Sequence, residues 1–258
     1  MLLLIDAGNS RVKWAVADTG VCSTDKLGIW RASGAVNTSD VLELGEMWQG
    51  MEITHVILSN VAGDILRERL QLVLSRVVGQ APVPFEWFAS VSALCGIRNG
   101  YRNPAQLGCD RFASAIGAHA LFAGLPLVVV TCGTATTIDA ITADGVFMGG
   151  MILPGVGLMA AALARNTAQL PLVDEEMGSS QMFADNTDDA IFTGCREAQA
   201  GAIERAFAAH VAQQGAAHCV LSGGAADLIA SRLSIPTVRI DNLVLVGLQV
   251  VASGDCRE

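Results

Sequence analysis

The sequence of 258 residues is poor in charged and aromatic side chains, and its charge is unbalanced. Charged residues make up 16% and aromatic residues 5%, and the acidic residues outnumber the basic ones to give a net charge of −9. Nucleic-acid binding uses a basic surface, so this balance argues against a nucleic-acid partner. An anionic substrate is still compatible, because backbone amides and a metal ion can reverse the field at one site.

A long uninterrupted apolar run is also lacking. The most apolar region, residues 112–132, is broken by His119, Gly124 and Pro126, which favours a helix, a turn and a strand over a membrane span. At the N-terminus no basic residue precedes the apolar run, and Asp6 follows it at once, which argues against a signal peptide. We therefore expect a cytoplasmic protein with no membrane partner.

The cysteines show neither a disulfide framework nor a zinc pattern. There are seven, at Cys22, Cys95, Cys109, Cys132, Cys195, Cys219 and Cys256. None belongs to a Cys-x-x-Cys pair, and no histidine stands at metal-ligand spacing from them. Reduced thiols, as in the cytoplasm, are the expectation.

What the sequence does contain is a high share of hydrophobic residues, 52%, which is typical of a compact α/β protein with buried strands. Its first stretch predicts a hairpin. The apolar run Leu2–Ile5 suits a strand covered on both faces, and Val12–Ala17 suits the return strand. We expect Gly8 and Asn9 to supply the positive-φ positions of the turn between them.

The polar residues of this hairpin suggest a phosphate clamp. Asp6 ends the apolar run, so its carboxylate can meet solvent, a metal or a ligand. Gly8 lets a phosphate approach the backbone, Asn9 and Ser10 offer donors, and Lys13 adds a positive charge. The alternative is an ordinary hairpin in which Asp6, Gly8 and Asn9 only form the turn.

Further along the chain, a strand over His55–Val61 precedes an amphipathic helix capped by Asp64. A strand followed by a helix suggests a βαβ crossover and therefore a parallel pair in a mixed sheet. The remaining patterns predict a strand over Cys22–Trp30, helices over Asp40–Gln49, Val156–Arg165 and Leu243–Ala252, and a helical stretch over Asn186–Gln214 with a break near Gly194 or Gly201.

Residues 96–111 form a polar stretch rich in Gly and Asn, and their apolar residues follow the period of neither a helix nor a strand. We predict a long loop that leads into a helix over Phe112–Phe122. Such a loop in a compact domain indicates function. Gly108, Asp110 and Arg111 fall at the start of that helix, where amides and the helix dipole favour an anion. The alternative makes Asp110 an N-cap and Arg111 a solvated residue.

The opening pattern then returns. Leu127–Val130 predicts another buried strand, and a threonine-rich turn and a return strand over Ile138–Thr142 follow it. The two hairpins align with Thr131 on Asp6, Gly133 on Gly8 and Thr134 on Asn9, at a constant offset of 125 residues. One repeat at half the chain length predicts duplicated domains, whose facing turns would form a cleft for a polyphosphate.

A last turn lies between a predicted strand, His218–Ser222, and a predicted helix, Asp227–Arg232. Gly223 and Gly224 lie in this turn, where the lack of side chains would let the flat ring of a nucleoside approach the backbone. Plain close packing explains the two glycines equally well.

Together these motifs resemble the acetate and sugar kinase/Hsp70/actin superfamily and, within it, the type III pantothenate kinases. The resemblance covers essentially the whole chain, and five motifs in order carry it. They are Asp6-Ala7-Gly8-Asn9-Ser10, Tyr101-x-x-Pro104-x-x-Leu107-Gly108-Cys109-Asp110-Arg111, Gly133-Thr134-Ala135-Thr136-Thr137, Gly150-x-Ile152-x-Pro154-Gly155 and Ser222-Gly223-Gly224-Ala225.

The resemblance implies an α/β fold of two duplicated ribonuclease H-like (actin-like) domains. Each would be a mixed sheet flanked by helices, at residues 1–112 and 113–258, with a cleft between the domains. It also implies a homodimeric enzyme that uses ATP to phosphorylate pantothenate to 4′-phosphopantothenate, the first step of coenzyme A biosynthesis. The alternatives are a kinase of the same superfamily with another small hydroxylated substrate, or a non-catalytic regulatory accessory protein.

Site residues follow from the same resemblance. Asp110 would be the general base, and Asp6 would help hold Mg²⁺ against the ATP phosphates. The other ATP-binding positions would be Ala7, Gly8, Asn9, Ser10, Arg11, Val12, Lys13, Gly133, Thr134, Gly223 and Gly224. Pantothenate would contact Tyr101, Gly108, Cys109, Asp110, Arg111 and Thr187, the last from the second half or from the partner subunit.

Two positions depart from the family pattern. Ser10 stands where Thr is usual, which keeps the hydroxyl group. Thr131 stands where most members have an Asp that helps bind an activating monovalent cation, K⁺ or NH₄⁺. A neutral hydroxyl is a poorer cation ligand than a carboxylate, so the requirement would be weakened or met by other oxygens.

Overall fold

The structure, a computed structural model, describes residues 1–19, 24–77, 83, 85–173 and 181–254. The chain forms two compact units. Unit 1 comprises residues 1–124, 143–148 and 242–258, and unit 2 comprises residues 125–142 and 149–241. Within the described residues, no helix is both long and apolar enough to cross a membrane.

The described residues of unit 1 form seven complete strands and four α-helices. Its strands are β1 Leu2–Ala7, β2 Arg11–Ala17, β3 Ala32–Asn37, β4 His55–Asn60, β5 Phe85–Trp87, β6 Ala93–Leu94 and β7 Ile97–Asn99. Its helices are α1 Leu44–Met47, α2 Asp64–Val77, α3 Cys109–Leu121 and α7 Leu243–Ala252, with 3₁₀ turns at Thr24–Lys26, Thr38–Glu43 and Pro104–Gln106.

The main sheet of unit 1 is mixed, with strand order β3-β2-β1-β4-β5. β1 runs antiparallel to β2 and parallel to β4, and β4 runs parallel to β5, as the predicted crossover requires. One face packs on α2, in a core that contains Leu3, Ile5 and Leu70. On the other side α3 and α7 contact β4 and β1. Helices on both sides explain why β1 is apolar at four successive positions.

Two glycines set the spacing of α3 and α7. A Cβ atom on Gly247 would lie 1.8 Å from the carbonyl oxygen of Ala113, and one on Gly117 would lie 2.8 Å from the amide of Gly247. Backbone therefore packs directly on backbone here, which only glycine allows. The remaining strands of unit 1, β6 and β7, form a hairpin, and β7 pairs with residues 146–147, at the start of β10 Val146–Pro154.

Besides most of β10, the described part of unit 2 contains β8 Leu127–Cys132, β9 Ala135–Ile141, α4 Val156–Asn166, α5 Thr187–Gln214, β11 His218–Ser222, α6 Ala226–Ala230 and β12 Thr237–Arg239. These strands belong to a mixed sheet and follow one another in the order β12-β11-β8-β9-β10. β8 runs antiparallel to β9 and parallel to β11. The core lies where β8 and β11 meet the helices, around Val130, Phe192 and Leu221.

The repeat predicted from the sequence is present in the strands. β8 begins and ends 125 residues after β1, so Thr131 and Asp6 hold the same position in their strands. The turn that follows β8 is one residue shorter, because β9 begins at Ala135 and β2 at Arg11.

Several element predictions are wrong. Residues 20–23 lie outside the described part, but Thr24–Lys26 is a 3₁₀ turn and the third strand is β3, beyond Gly28 with its φ of 77°. The predicted helix over Asp40–Gln49 is a 3₁₀ turn followed by α1. The break predicted in α5 is absent from Thr187–Gln214, because Gly194 and Gly201 continue the helix.

Two other predictions need smaller corrections. The stretch 96–111 is not all loop, because Ile97–Asn99 is β7 and α3 already begins at Cys109. Asp110 is therefore not the N-cap of α3; Gly108 holds that position and Asp110 lies in the first turn. Helix α6, which follows the turn at Gly223 and Gly224, is shorter than predicted. It ends at Ala230 and not at Arg232.

Candidate active site

Asp6 lies one residue before the end of β1, between Lys13 of β2 on one side and Ser59 of β4 on the other. Its side chain is half-buried. The pKa of Asp6 is raised to about 7, first because burial disfavours the charged form and second because Asp110 is negative; Lys13 opposes both effects. A nearby cation would therefore stabilise the charged form of Asp6.

The turn after Asp6 does not have the predicted backbone. Neither Gly8 nor Asn9 has a positive φ. The amide of Gly8 instead donates to the carbonyl oxygen of Arg11 (3.0 Å), and a Cβ atom on Gly8 would lie 3.2 Å from that oxygen. Glycine is thus favoured here by a close approach.

Thr38 fixes this turn from the side, a role the sequence analysis missed. Its amide donates to the carbonyl oxygen of Ser10 (3.0 Å) and its hydroxyl to that of Gly8 (3.1 Å). Asn9 and Ser10 remain exposed at the tip of the turn. No local pattern marks Thr38, because its partners lie about 30 residues earlier.

Asp110 lies in the first turn of α3, half-buried, and its carboxylate accepts a hydrogen bond from the amide of Arg111 (2.8 Å). Burial raises the pKa of Asp110, while that hydrogen bond and the charge of Arg111 lower it. The charge of Asp110 contributes to the raised pKa of Asp6, which indicates that the two carboxyl groups lie in the same region of unit 1.

A short chain of contacts explains this arrangement. The thiol of Cys109 lies 3.3 Å from the hydroxyl of Ser59 and donates to the carbonyl oxygen of Asn60 at 3.6 Å. Ser59 is fully buried and stands opposite Asp6 in the sheet. The start of α3 is therefore attached to the end of β4, next to β1. Burial raises the pKa of the Cys109 thiol, which makes this cysteine a packing group and not a nucleophile.

Arg111 and Tyr101 form the other part of this region. The buried guanidinium of Arg111 donates to the Tyr101 hydroxyl (2.8 Å), and it lies 5.6 Å from the ring centre of Tyr101 and 5.7 Å from that of Phe147. Aromatic faces stabilise a cation at such distances. Arg111, predicted as a substrate contact or a solvated residue, is thus a fixed cation beside Asp110.

In unit 2 the glycine turns pack against one another. A Cβ atom on Gly155 would lie 2.2 Å from the carbonyl oxygen of Gly133, and one on Gly223 would lie 2.2 Å from that of Cys132. The amide of Gly155 donates to the carbonyl oxygen of Thr134 (2.9 Å). The predicted phosphate turn and the predicted nucleoside turn therefore share one backbone scaffold at the ends of β8 and β11.

The other predicted positions of unit 2 lie as follows. Gly224 is exposed, with open space where a Cβ atom would be. Thr131 is half-buried in β8, between Thr137 of β9 and Ser222 of β11. Thr187 is exposed and is the first residue of α5, whose N-cap is Asn186.

The described residues hold no cluster of three or more metal-ligating side chains. They do hold the carboxylate pair Asp6 and Asp110, and a cation would offset the effect of the Asp110 charge on Asp6. Mg²⁺ at nucleotide sites typically uses one or two carboxylates and completes its shell with phosphates and water. The donor set in unit 1 fits such an ion and does not fit a metal held by protein ligands alone.

Solved structures of other proteins share the fold. A Campylobacter jejuni protein assigned to the Baf family of transcriptional activators matches with a TM-score of 0.61 and 21% identity over 96% of each chain. A Sinorhizobium meliloti protein assigned as a 2-dehydro-3-deoxygalactonokinase matches with a TM-score of 0.56 and 14% identity over 98% of each chain. The chain thus has the α/β, actin-like fold of the sugar kinases, as the sequence predicted.

Comparison of sequences narrows this class to one family. Residues 2–209 match the family model of type III pantothenate kinases. A type III pantothenate kinase of Herminiimonas arsenicoxydans is 57% identical over 256 residues, which cover 98% of this chain and 97% of the relative. One of Janthinobacterium sp. (strain Marseille) is 56% identical over 254 residues, with the same coverage. The chain belongs to the type III pantothenate kinase family.

Proposed function

We propose that this protein transfers the terminal phosphoryl group of ATP to pantothenate, giving 4′-phosphopantothenate and opening coenzyme A biosynthesis. The observation that carries the proposal is the carboxylate pair of unit 1. One carboxylate, Asp6, precedes a polar turn, and the other, Asp110, lies in the first turn of a helix beside a fixed cation, Arg111. Phosphoryl transfer needs one group that helps to hold the phosphates and another that orients the hydroxyl group of the acceptor.

Asp110 is the proposed general base. Its carboxylate is held by the Arg111 amide, so it presents a defined orientation to the primary hydroxyl group of pantothenate. Its raised pKa makes it a better proton acceptor than a solvated aspartate, while the charge of Arg111 limits how far the pKa rises. The proton of the hydroxyl group moves to Asp110 as the hydroxyl oxygen bonds to the γ-phosphorus of ATP, while the bond from that phosphorus to the bridging oxygen breaks and ADP leaves.

The phosphates of ATP are assigned to the turn after β1 and to the corresponding turn after β8. Asp6 would hold Mg²⁺, and that ion, when bound, neutralises charge on the phosphate oxygens. Lys13 adds a positive charge beside Asp6. The other residues proposed to contact ATP are Ala7, Gly8, Asn9, Ser10, Arg11, Val12, Gly133, Thr134, Gly223 and Gly224.

Pantothenate is assigned to the region around α3. The Arg111 guanidinium carries the charge that would attract the carboxylate of pantothenate, and Tyr101 holds that guanidinium in place. Gly108 and Cys109 would line the same site, where the absence of a side chain on Gly108 leaves room beside Asp110. Thr187 is proposed to reach the substrate from unit 2 or from a partner subunit.

The same proposal includes a cytoplasmic homodimer. Large apolar side chains of unit 2 are exposed on β10 and α4, with Ile152 at 64% and Leu158 at 47%, and a second copy would cover them. For the monovalent cation, K⁺ or NH₄⁺, we propose a weakened requirement, since Thr131 offers a hydroxyl oxygen in place of a carboxylate.

The test uses purified protein with ATP, Mg²⁺ and pantothenate, with and without K⁺ or NH₄⁺, and follows 4′-phosphopantothenate. We expect turnover in the wild type and, in Asp110→Asn, a loss of at least about a hundredfold, because general-base catalysis typically contributes that much. The control is Asp144→Asn, which removes an exposed carboxylate of unit 1 and should leave turnover unchanged. No product from folded wild-type protein under any salt would contradict the proposal.

A further inference from the structure

Arg239, at the end of β12, joins that strand to the turn and the helix that follow β11. Its guanidinium donates to the carbonyl oxygen of Gly223 (2.8 Å), to the carboxylate of Asp227 (3.1 Å) and to that of Asp241 (2.9 Å). Both carboxylate side chains are largely exposed, at 84% and 78%. Exposed ion pairs contribute little to stability. The bond to the Gly223 carbonyl is different, because Gly223 is buried.

The Gly223 carbonyl belongs to a turn whose backbone is tightly constrained. Gly223 has a φ of 98°, and a Cβ atom there would lie 2.2 Å from the carbonyl oxygen of Cys132. The amide of Ala225 donates to that same oxygen (3.1 Å), and the amide of Ala226 donates to Gly223 itself (3.2 Å). The same Gly223 carbonyl oxygen also accepts the bond from Arg239, so the guanidinium helps to set the direction of this peptide.

We propose that Arg239 is a positioning residue for the adenosine part of ATP. It touches no proposed ligand atom; it fixes the backbone of Gly223 and Gly224, on which the nucleoside would lie. The inference rests on the proposed function, which assigns that turn to ATP. The guanidinium suits this role because its planar donors reach Gly223, Asp227 and Asp241 at once, which a lysine ammonium cannot reproduce.

A positioning role makes a prediction that a general structural role does not. Loss of Arg239 should weaken the binding of ligands that carry adenosine and leave the binding of bare polyphosphate unchanged, because Arg239 donates to the Gly223 carbonyl and not to the phosphate turns. It should raise the KM for ATP and leave kcat unchanged, since the nucleoside is held equally in the ground and transition states.

The test measures the binding of MgADP and of magnesium tripolyphosphate by calorimetry, and the kinetics for ATP and pantothenate. We expect Arg239→Ala to weaken MgADP binding and raise the KM for ATP by about tenfold, which corresponds to about 1.4 kcal/mol. Tripolyphosphate binding and the KM for pantothenate should not change. Arg239→Lys should recover only part of the loss.

The matched control is Arg232→Ala, which removes another partly buried arginine near α6, paired with Glu197 and not with Gly223. It should leave MgADP binding unchanged. Equal weakening of MgADP and tripolyphosphate in Arg239→Ala, or no change in either, would overturn the inference. A wild type that binds MgADP but does not phosphorylate pantothenate would instead contradict the proposed function, so the two failures are distinguishable.

Discussion

The raised pKa of Asp6 makes the stability of unit 1 depend on pH in a direction opposite to that given by carboxylates that are paired or hydrogen-bonded in the folded state. A carboxyl group whose pKa is higher in the folded than in the unfolded chain gains a proton on folding between the two values. The free energy of unfolding should therefore fall as the pH rises from about 4 to about 7, and then stay level. Asp6→Asn keeps the shape of the side chain and removes this dependence.

The size of the effect follows from the shift. The pKa of Asp6 moves from 3.8 to about 7. One unit is worth about 1.36 kcal/mol, so the charge on Asp6 opposes folding by about 4 kcal/mol above pH 7 and by about 2 kcal/mol at pH 5.5. Asp6→Asn should therefore stabilise the protein more at pH 8 than at pH 5.5, by a difference of about 2 kcal/mol.

The tryptophans make unit 1 directly observable. All four lie in it, at Trp14, Trp30, Trp48 and Trp87. Urea unfolding followed by tryptophan fluorescence, in EDTA and without nucleotide, would give the free energy of unfolding at the two pH values. Glu68→Gln removes an exposed carboxylate on α2 and should show no such difference. An Asp6→Asn effect that is equal at both pH values would refute the reasoning.

Two further substitutions test other parts of the structure. Gly247→Ala places a Cβ atom 1.8 Å from the Ala113 carbonyl oxygen and should lower the unfolding free energy by at least about 1–3 kcal/mol, whereas Gly194→Ala, in open space on α5, should raise it by about 0.5–1 kcal/mol. Urea midpoints of the two variants would compare them, and a Gly247→Ala protein as stable as the wild type would contradict the packing of α3 on α7. Tyr101→Phe removes the hydrogen bond to Arg111 and should raise the KM for pantothenate by about tenfold, because a hydrogen bond from a charged donor to a neutral partner is worth about 1.5 kcal/mol. An unchanged KM would contradict the proposed contact between Arg111 and pantothenate.

The elements that the sequence predicted best are those with a strong local pattern. The apolar runs at Leu2 and Leu127 predicted β1 and β8, and the uniformly apolar stretch Leu243–Ala252 predicted α7 with its observed bounds. Turn geometry was predicted less well. The Gly8–Asn9 pair suggested positive φ angles, but the turn is wide enough to close without them.

Residues that act through distant partners could not be found from local pattern. Thr38 holds the first turn, Ser59 attaches α3 to β4, and Arg239 holds the Gly223 turn, across separations of 30, 50 and 16 residues respectively. The motifs correctly marked the family, since they cluster at the turns. The ligand contacts of those motifs and the domain boundary after residue 112 stay predictions.

The division of the chain also constrains how a ribosome can deliver this protein. α7 belongs to unit 1 and packs on α3, yet about 120 residues, which include all of unit 2, are synthesised between them. At a synthesis rate of roughly 5–20 residues per second, α7 follows α3 after about 6–24 s, and until then the apolar surface of α3 and β1 lacks the helix that covers it. Unit 2 is interrupted only by residues 143–148 of unit 1 and can complete its fold first, so the nascent first half is the stage most in need of a chaperone.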